Sequence, residues 1–346
     1  MKAAQGMFAS SVLIAFASAC FAQAPSWDKR TPVDEALELY QQFSGKTVIR
    51  SPNLPSLSEF NKPIPSSDTN GMRIVLENEL LNKGIELVPL SEVIVMAVES
   101  GWKNSPAAKY IATIKPRPAQ VSVYASELPA SNGEKPAEES IPSGTIDFGG
   151  ADINQFLDLY AMLRNRNVLR SAQLNSTTFK LHTQTPFTKS AVIYLLELAL
   201  ALNGIASVDD GTNFLQVVPI SRIPNLKLQA PQRSPGDPLL DPKTVRDFGY
   251  LRSFVPGQGA QISSQEGVND MVAYYAELTG RTAVSTSKVR GVPAIFRAQT
   301  PLTRAEVLYA LETTLALNGL AIIEVDDKTI RAGNINERSQ ASKNSQ

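Results

Sequence analysis

The chain is poor in the residues that carry most protein chemistry. It has one cysteine, Cys20, and one histidine, His182, among 346 residues, which excludes a disulfide framework and a zinc cluster of Cys and His. Charge of one sign is lacking as well: 33 Lys+Arg balance 33 Asp+Glu, so no nucleic acid is expected among its partners. Past the amino terminus no apolar run is long enough to span a bilayer. The best one, 192–206, is interrupted by Glu197 and Asn203, short of the roughly 20 apolar residues such a helix needs. Glycine-rich phosphate loops, nucleophile elbows and HExxH are missing. The chain therefore reads as a non-enzyme with no cofactor and no metal. What it has in quantity is punctuation, 23 Pro and 20 Gly, in an otherwise globular composition.

The amino terminus reads as an address. After Lys2 no charge appears until Asp28, and MFASSVLIAFASACFA at 7–22 is an Ala-rich apolar run, the form of a secretory signal over residues 1–24. Two exits compete. Ala22-Gln23-Ala24 is an A-x-A site followed by Pro25, whereas Ala17-Ser18-Ala19-Cys20 resembles a lipobox with Cys20 where a lipid attaches. Either exit places the mature chain in the periplasm, and the second anchors it to the outer membrane.

Self-similarity is the strongest signal in the sequence. Tyr40, Tyr160 and Tyr275 each precede, by 44 positions, a glycine: Gly84, Gly204 and Gly319. QTPFTKSAVIYLLELALALNGIA at 184–206 aligns with QTPLTRAEVLYALETTLALNGLA at 299–321, with 14 of 23 positions identical. The first copy is more distant, matching VIRS at 48–51 to VLRS at 168–171 and sharing the apolar stripes.

Each copy predicts the same elements. Val33, Ala36, Leu37, Tyr40 and Phe43 lie on one helical face, as do Ile153, Phe156, Leu157, Tyr160 and Leu163, and Val268, Met271, Val272, Tyr275 and Leu278. β-branched runs follow at 47–50, 167–170 and 282–286. A second helix carries Met72, Val75, Leu76 and Leu80, then Val192, Leu195, Leu196 and Leu200, then Val307, Ala310, Leu311 and Leu315. Asp68, Thr188 and Thr303 are its N-caps, Thr303 forming a capping box with Glu306. Gly84, Gly204 and Gly319 close it in positive φ. Alternating stretches broken by polar turns then read as hairpins. Further strands are expected at 145–150 and 176–184.

The fold class is α+β: three tandem β-α-β-β-α-β units, two helices on one mixed sheet, over 31–100, 144–221 and 262–335. Each unit is near the size at which one core is marginal, so contacts between units or with partners carry weight. The Pro-rich stretches 101–143 and 222–261 are expected as extended linkers, and 336–346 as a polar disordered tail.

With these residues laid out, the second copy, IDFGGADINQFLDLYAMLRNRNVLRS through NFLQVVP, resembles the ring-building amino-terminal domains of bacterial secretins. The third fits nearly as well, and the first only loosely because FNKPIPSSDTNG at 60–71 replaces a strand. Secretins are outer-membrane channels of type II and type III secretion and of type IV pili. The resemblance implies the fold, a periplasmic setting and partners among secretins or other secretion or pilus components; separately, an exposed sheet edge or a helix face offers a route to assembly, with a monomer and a self-associated ring both open. The secretin pore domain has no counterpart here, and the family supplies no catalytic residues in these domains. The function expected is a scaffold or accessory component of such an assembly. A receptor-like module for a peptide or cell-wall fragment stands as the alternative.

Three features invite a chemical reading and have a plainer one. Asp209-Asp210 and Asp326-Asp327 sit in DDGT and DDKT, where Asp side chains bond their own turn. Arg50-Ser51 and Arg170-Ser171 read as solvated strand ends. His182 falls in a strand with no neighbouring ligand.

Overall fold

The computed structural model describes residues 32–57, 68–115, 139–174, 178–226, 230–249, 254–255, 259–260, 267–289, 292 and 294–337. The signal segment with Cys20 and the tail beyond 337 lie outside them.

The chain is mixed α+β. In order it runs α1 (Pro32–Ser44), β1 (Thr47–Arg50), α2 (Thr69–Asn82), β2 (Ile85–Pro89) and β3 (Ile94–Glu99); then α3 (Ile153–Arg164), β4 (Asn167–Arg170), α4 (Lys189–Leu202), β5 (Ile205–Asp209) and β6 (Phe214–Pro219); then α5 (Val268–Thr279), β7 (Thr282–Val284), α6 (Arg304–Leu317), β8 (Leu320–Glu324) and β9 (Thr329–Asn334). The nine strands form three sheets of orders β1-β3-β2, β4-β6-β5 and β7-β9-β8. In each, the first strand pairs in parallel with the last and the last pairs antiparallel with the middle one. A parallel neighbour requires a crossover, and the second helix supplies it.

The strands expected at 145–150 and 176–184 form at Asp147–Asp152 and Thr178–His182 but join none of these sheets. They pair with each other as a two-stranded ribbon, so the expected single mixed sheet is corrected to a three-stranded sheet and a separate ribbon. The reason is visible in Thr178–His182, which buries only alternate side chains, as a ribbon with one wet face does.

Two compact units make up the described chain. One holds the residues up to Ala151 together with Phe179–Leu202; the other holds Asp152–Thr178 and the residues from Asn203 onward. The division falls inside 144–221 rather than in the Pro-rich stretches.

In the first unit the sheet β1-β3-β2 is covered on one face by α1 and α2. Val33, Ala36, Leu37 and Tyr40 pack with Leu76, Leu80, Val48, Val95 and Ala97. Residues alternate faces along a strand, so Ile49, Ile94, Met96 and Val98 point the other way, yet none is more than 1% exposed. That face belongs to α4, which packs on β1 and on a short helix, Pro106–Ile111. Helix α4 buries eleven of its residues, far more than a one-sided stripe, because it has a neighbour on more than one side. Helix α2 does not. Val75, expected in the core beside Leu76, is 54% exposed.

The second unit repeats the arrangement with other residues. Leu169, Phe214 and Val218 on one face of β4-β6-β5 share a core with Val307, Ala310 and Leu311 of α6 and with Val268, Met271 and Val272 of α5. Sheet β7-β9-β8 contributes Ile322, Ile330 and Ala332 to the same core.

The linker expected at 222–261 is packed in its described part. Val245 and Phe248 are buried in this core, Leu239–Leu240 pairs with Leu302–Thr303, and Phe248 bridges Phe296. Proline fixes φ but leaves side chains free to bury. The ends of 101–143 are ordered too, with Trp102, Ile111 and Ile141 buried. Residues 335–337, of which 336 and 337 were expected in the tail, form a helical turn in which Glu337 pairs with Arg331 at 3.0 Å.

Candidate interaction site

The recurrent residues fall at structural joints. Asp68 accepts from the Gly71 amide at 2.9 Å and Thr188 from the Ala191 amide at 3.1 Å. Thr303 and Glu306 make a reciprocal capping box. Gly84, Gly204 and Gly319 follow α2, α4 and α6 at φ of 80, 71 and 75°, the left-handed region in which a Cβ is costly. Tyr40 and Tyr160 are buried. Burial first, and then the Glu77 carboxylate beside it, push the Tyr40 phenol above its ordinary value. Tyr160 donates to Ser207 Oγ at 3.1 Å and the less buried Tyr275 to Glu312 Oε1 at 2.6 Å. Glu77 and Glu312 stand at the same distance before their glycines. The shared spacing of seven residues from carboxylate to glycine is the signal of this pairing in the sequence.

The residues with a chemical reading resolve as architecture. Asp210 Oδ1 accepts from Thr212 and Phe214 amides at 3.0 and 3.2 Å, and Asp326 Oδ1 from the Lys328 amide at 2.9 Å, which with other turn bonds holds the Asp326 carboxyl below its usual range. His182 is half-exposed with Nδ1 3.3 Å from Asp147. The arginines expected as solvated strand ends are not solvated. Arg170 is 1% exposed and donates to Asn154; Arg50 donates to Asp34, which also accepts from Lys180 at 2.8 Å. Asp34, Asn154 and Asn269 occupy one register, and Asn269 likewise binds a strand end, accepting from the Thr286 amide at 3.2 Å. A polar side chain near the start of each first helix thus fixes the end of the following strand.

Among the described residues no group of three or more His, Cys, Asp or Glu is placed to hold a metal ion, and no helix is long and apolar enough to cross a membrane. The developed chemistry lies where a helix crosses a sheet face. In the second unit Tyr309 of α6 stands over Phe214, ring centroids 5.4 Å apart, and Gln216 Nε2 donates to its hydroxyl at 3.2 Å. Asn167 at the start of β4 accepts from the Gln299 and Thr300 amides at 2.7 and 3.0 Å and donates to Thr300 Oγ1 at 2.6 Å. Glu306, 1% exposed, accepts from both sides: Arg233 Nε at 2.9 Å to each oxygen and Asn213 Nδ2 at 2.5 Å. A buried carboxylate needs such partners.

The first unit repeats the joint. The Gln184 amide donates to Thr47 Oγ1 at 3.1 Å, with Thr47 in the register of Asn167 and Gln184 in that of Gln299. Tyr194 on α4, 5% exposed, takes the register of Tyr309, ten positions before its glycine.

Beside the second joint lies an acidic site. Asp158 of α3 accepts from Gln299 Nε2 at 2.9 Å and faces Arg297 at 3.5 Å, which also faces Asp247 at 3.9 Å. Burial pushes Asp158 up to about 6, with Asp152 and Asp247 adding to the rise and Arg297 and Arg170 opposing it. Sequence spacing gave no sign of this site, because its members come from three distant segments.

No family model, no curated protein and no solved structure matches this chain.

Proposed function

We propose that the chain is a non-enzymatic scaffold of the bacterial envelope, built from three copies of one small α+β unit and acting by protein-protein contact. The observation that carries this reading is the helix-on-sheet joint, made once in each compact unit by residues in matching register: Gln184 on Thr47 and Gln299 on Asn167. A unit that uses its second helix to cover a neighbour's sheet is an assembly module, since repeat architectures gain stability from such interfaces. The common strand order of the three sheets supports descent from one unit, as does the identity between 184–206 and 299–321. The envelope setting rests on the signal-like residues 1–24 and on the resemblance of 144–221 and 262–335 to secretin amino-terminal domains, which point to a secretin or another secretion or pilus component as partner.

Affinity capture of the tagged chain from envelope extracts tests the assignment. Recovery of a secretin or of another secretion or pilus protein is the expected result. A chain found only in the cytoplasmic fraction, or one that retrieves no such component, overturns it.

A further inference from the structure

The two joints leave two surfaces without their counterpart. In the second joint the second helix lays Tyr309 over Phe214, and Tyr194 holds that register on α4; the residues that follow them are Ala310 and Leu195. Helix α2 carries Ile74 and Val75 in those registers, and they are 45% and 54% exposed against 5% for Tyr194 and 0% for Leu195 and Ala310. The sheet side has a matching gap. Ile49, Ile94 and Met96, or Leu169, Phe214 and Gln216, underlie a helix and are all but fully buried. Their counterparts on β7-β9-β8 are Val284, Thr329 and Arg331. Val284 is 47% exposed, and Thr282, in the register of Thr47 and Asn167, is exposed as well.

We infer that the Ile74-Val75 face of α2 docks on the Thr282-Val284-Thr329-Arg331 face of the third sheet in a second copy of this chain, repeating between molecules the joint made twice within one. The inference rests on reading the three sheets as copies of one unit. The occupant follows from the joint itself, which names the partner of a second helix as the outer face of a β-β-β sheet of this order; among the described residues, the β7 side of the third sheet leaves Thr282 and Val284 exposed on that face, while Ala321 and Ile323 on its β8 side are buried. The polar complement is also present. In the second joint Tyr309 reaches both Gln216 on the sheet and Thr313 on its own helix. In the docked pair the shorter Ile74 makes the apolar contact. Asn78, in the register of Thr313, offers a carbonyl oxygen to Arg331, in the register of Gln216, whose present partner is Glu337 beside Gly333. The two surfaces differ, so the contact is heterologous and head to tail, adding copies until a rotation closes it.

Sedimentation velocity of the purified chain over a wide concentration range is the test, with one surface blocked at a time. The expected results are mass rising with concentration for the native chain, and monomers for Ile74→Glu alone and Val284→Glu alone, the affinity falling at least about tenfold in each. An equimolar mixture of the two variants restores association and stops at a dimer, because each retains one intact surface. A native chain monomeric throughout overturns the inference, and so does a mixture that stays monomeric or variants that assemble like the native chain. Ile74→Ser and Val284→Ser replace the glutamates should either lose its cooperative melt. A monomeric native chain that still captures an envelope component removes this interface while leaving the scaffold role standing.

Discussion

Replacing Tyr309 by alanine isolates the joint of the second unit. The ring lies 5.4 Å from that of Phe214, and its hydroxyl accepts from Gln216, 1% exposed, at 3.2 Å. Removing a fully buried aromatic side chain costs about 3–5 kcal/mol; Tyr309 is only partly buried, which lowers the apolar share, while the lost hydrogen bond adds about 0.5–1.5 kcal/mol. The expected cost is about 2–4 kcal/mol. Tyr309→Phe keeps the ring contact and should cost only the hydroxyl's share, about 1 kcal/mol. The control is Ile74→Ala, the same register on α2, where 45% exposure limits the cost to about 0.5 kcal/mol. Urea unfolding at low protein concentration reads all three, followed by the transition of the second unit because two compact units need not melt together. A Tyr309→Ala cost equal to that of Ile74→Ala would refute the claim that the joint holds α6 to the sheet.

Further outcomes follow from single residues. Asp158 sits near 6 in the folded chain against about 3.9 unfolded, so the native state binds its proton more tightly and stability falls as pH rises from about 4 to about 6. Asp158→Asn should therefore gain on the native chain over that window by about 1–2 kcal/mol, after discounting for partial exposure, and parallel stability curves from pH 4 to 7 would contradict it. Gly204→Val forces a β-branched residue to φ near 71° with no steric contact within 4 Å of the added Cβ, so its cost of about 2 kcal/mol is conformational, and Gly204→Asn should recover much of it. Arg233→Ala strips the ion pair from Glu306 and should cost about 2–3 kcal/mol, with most of that loss absent in a Glu306→Gln background; additive losses in the double-mutant cycle would argue against the pair.

Local structure was legible in the sequence wherever one segment determines it. The helices around Tyr40, Tyr160 and Tyr275 follow from apolar spacing, and Thr303 with Glu306 from capping chemistry, because both depend on residues within a turn or two. The Asp-Asp hairpins needed only the turn preference of Asp. Burial of Arg170 was missed because its partner Asn154 lies on another element, and arginine by itself reads as solvated. The exposure of Val75 was missed for a related reason: its helical stripe equals that of Leu195, and only what packs against each helix among the described residues separates 54% from 0% exposure. The packing of the described part of 222–261 was hidden by its proline content, which masks the apolar signal of Val245 and Phe248. The candidate site was the least legible, since Thr47 with Gln184 and Asn167 with Gln299 are joined over more than a hundred residues.

The chain passes from one compact unit to the other at Ala151, returns at Phe179 and leaves again after Leu202, so the middle of the protein is woven into both. Scissors applied at either proline-rich stretch would not yield tidy pieces. A fragment ending at residue 143 forfeits α4 and strips the roof from Ile49, Ile94, Met96 and Val98, turning a dry interior wall into a sticky exterior one. Dissection by deletion would therefore report on insolubility, whereas surface point changes leave the weave whole.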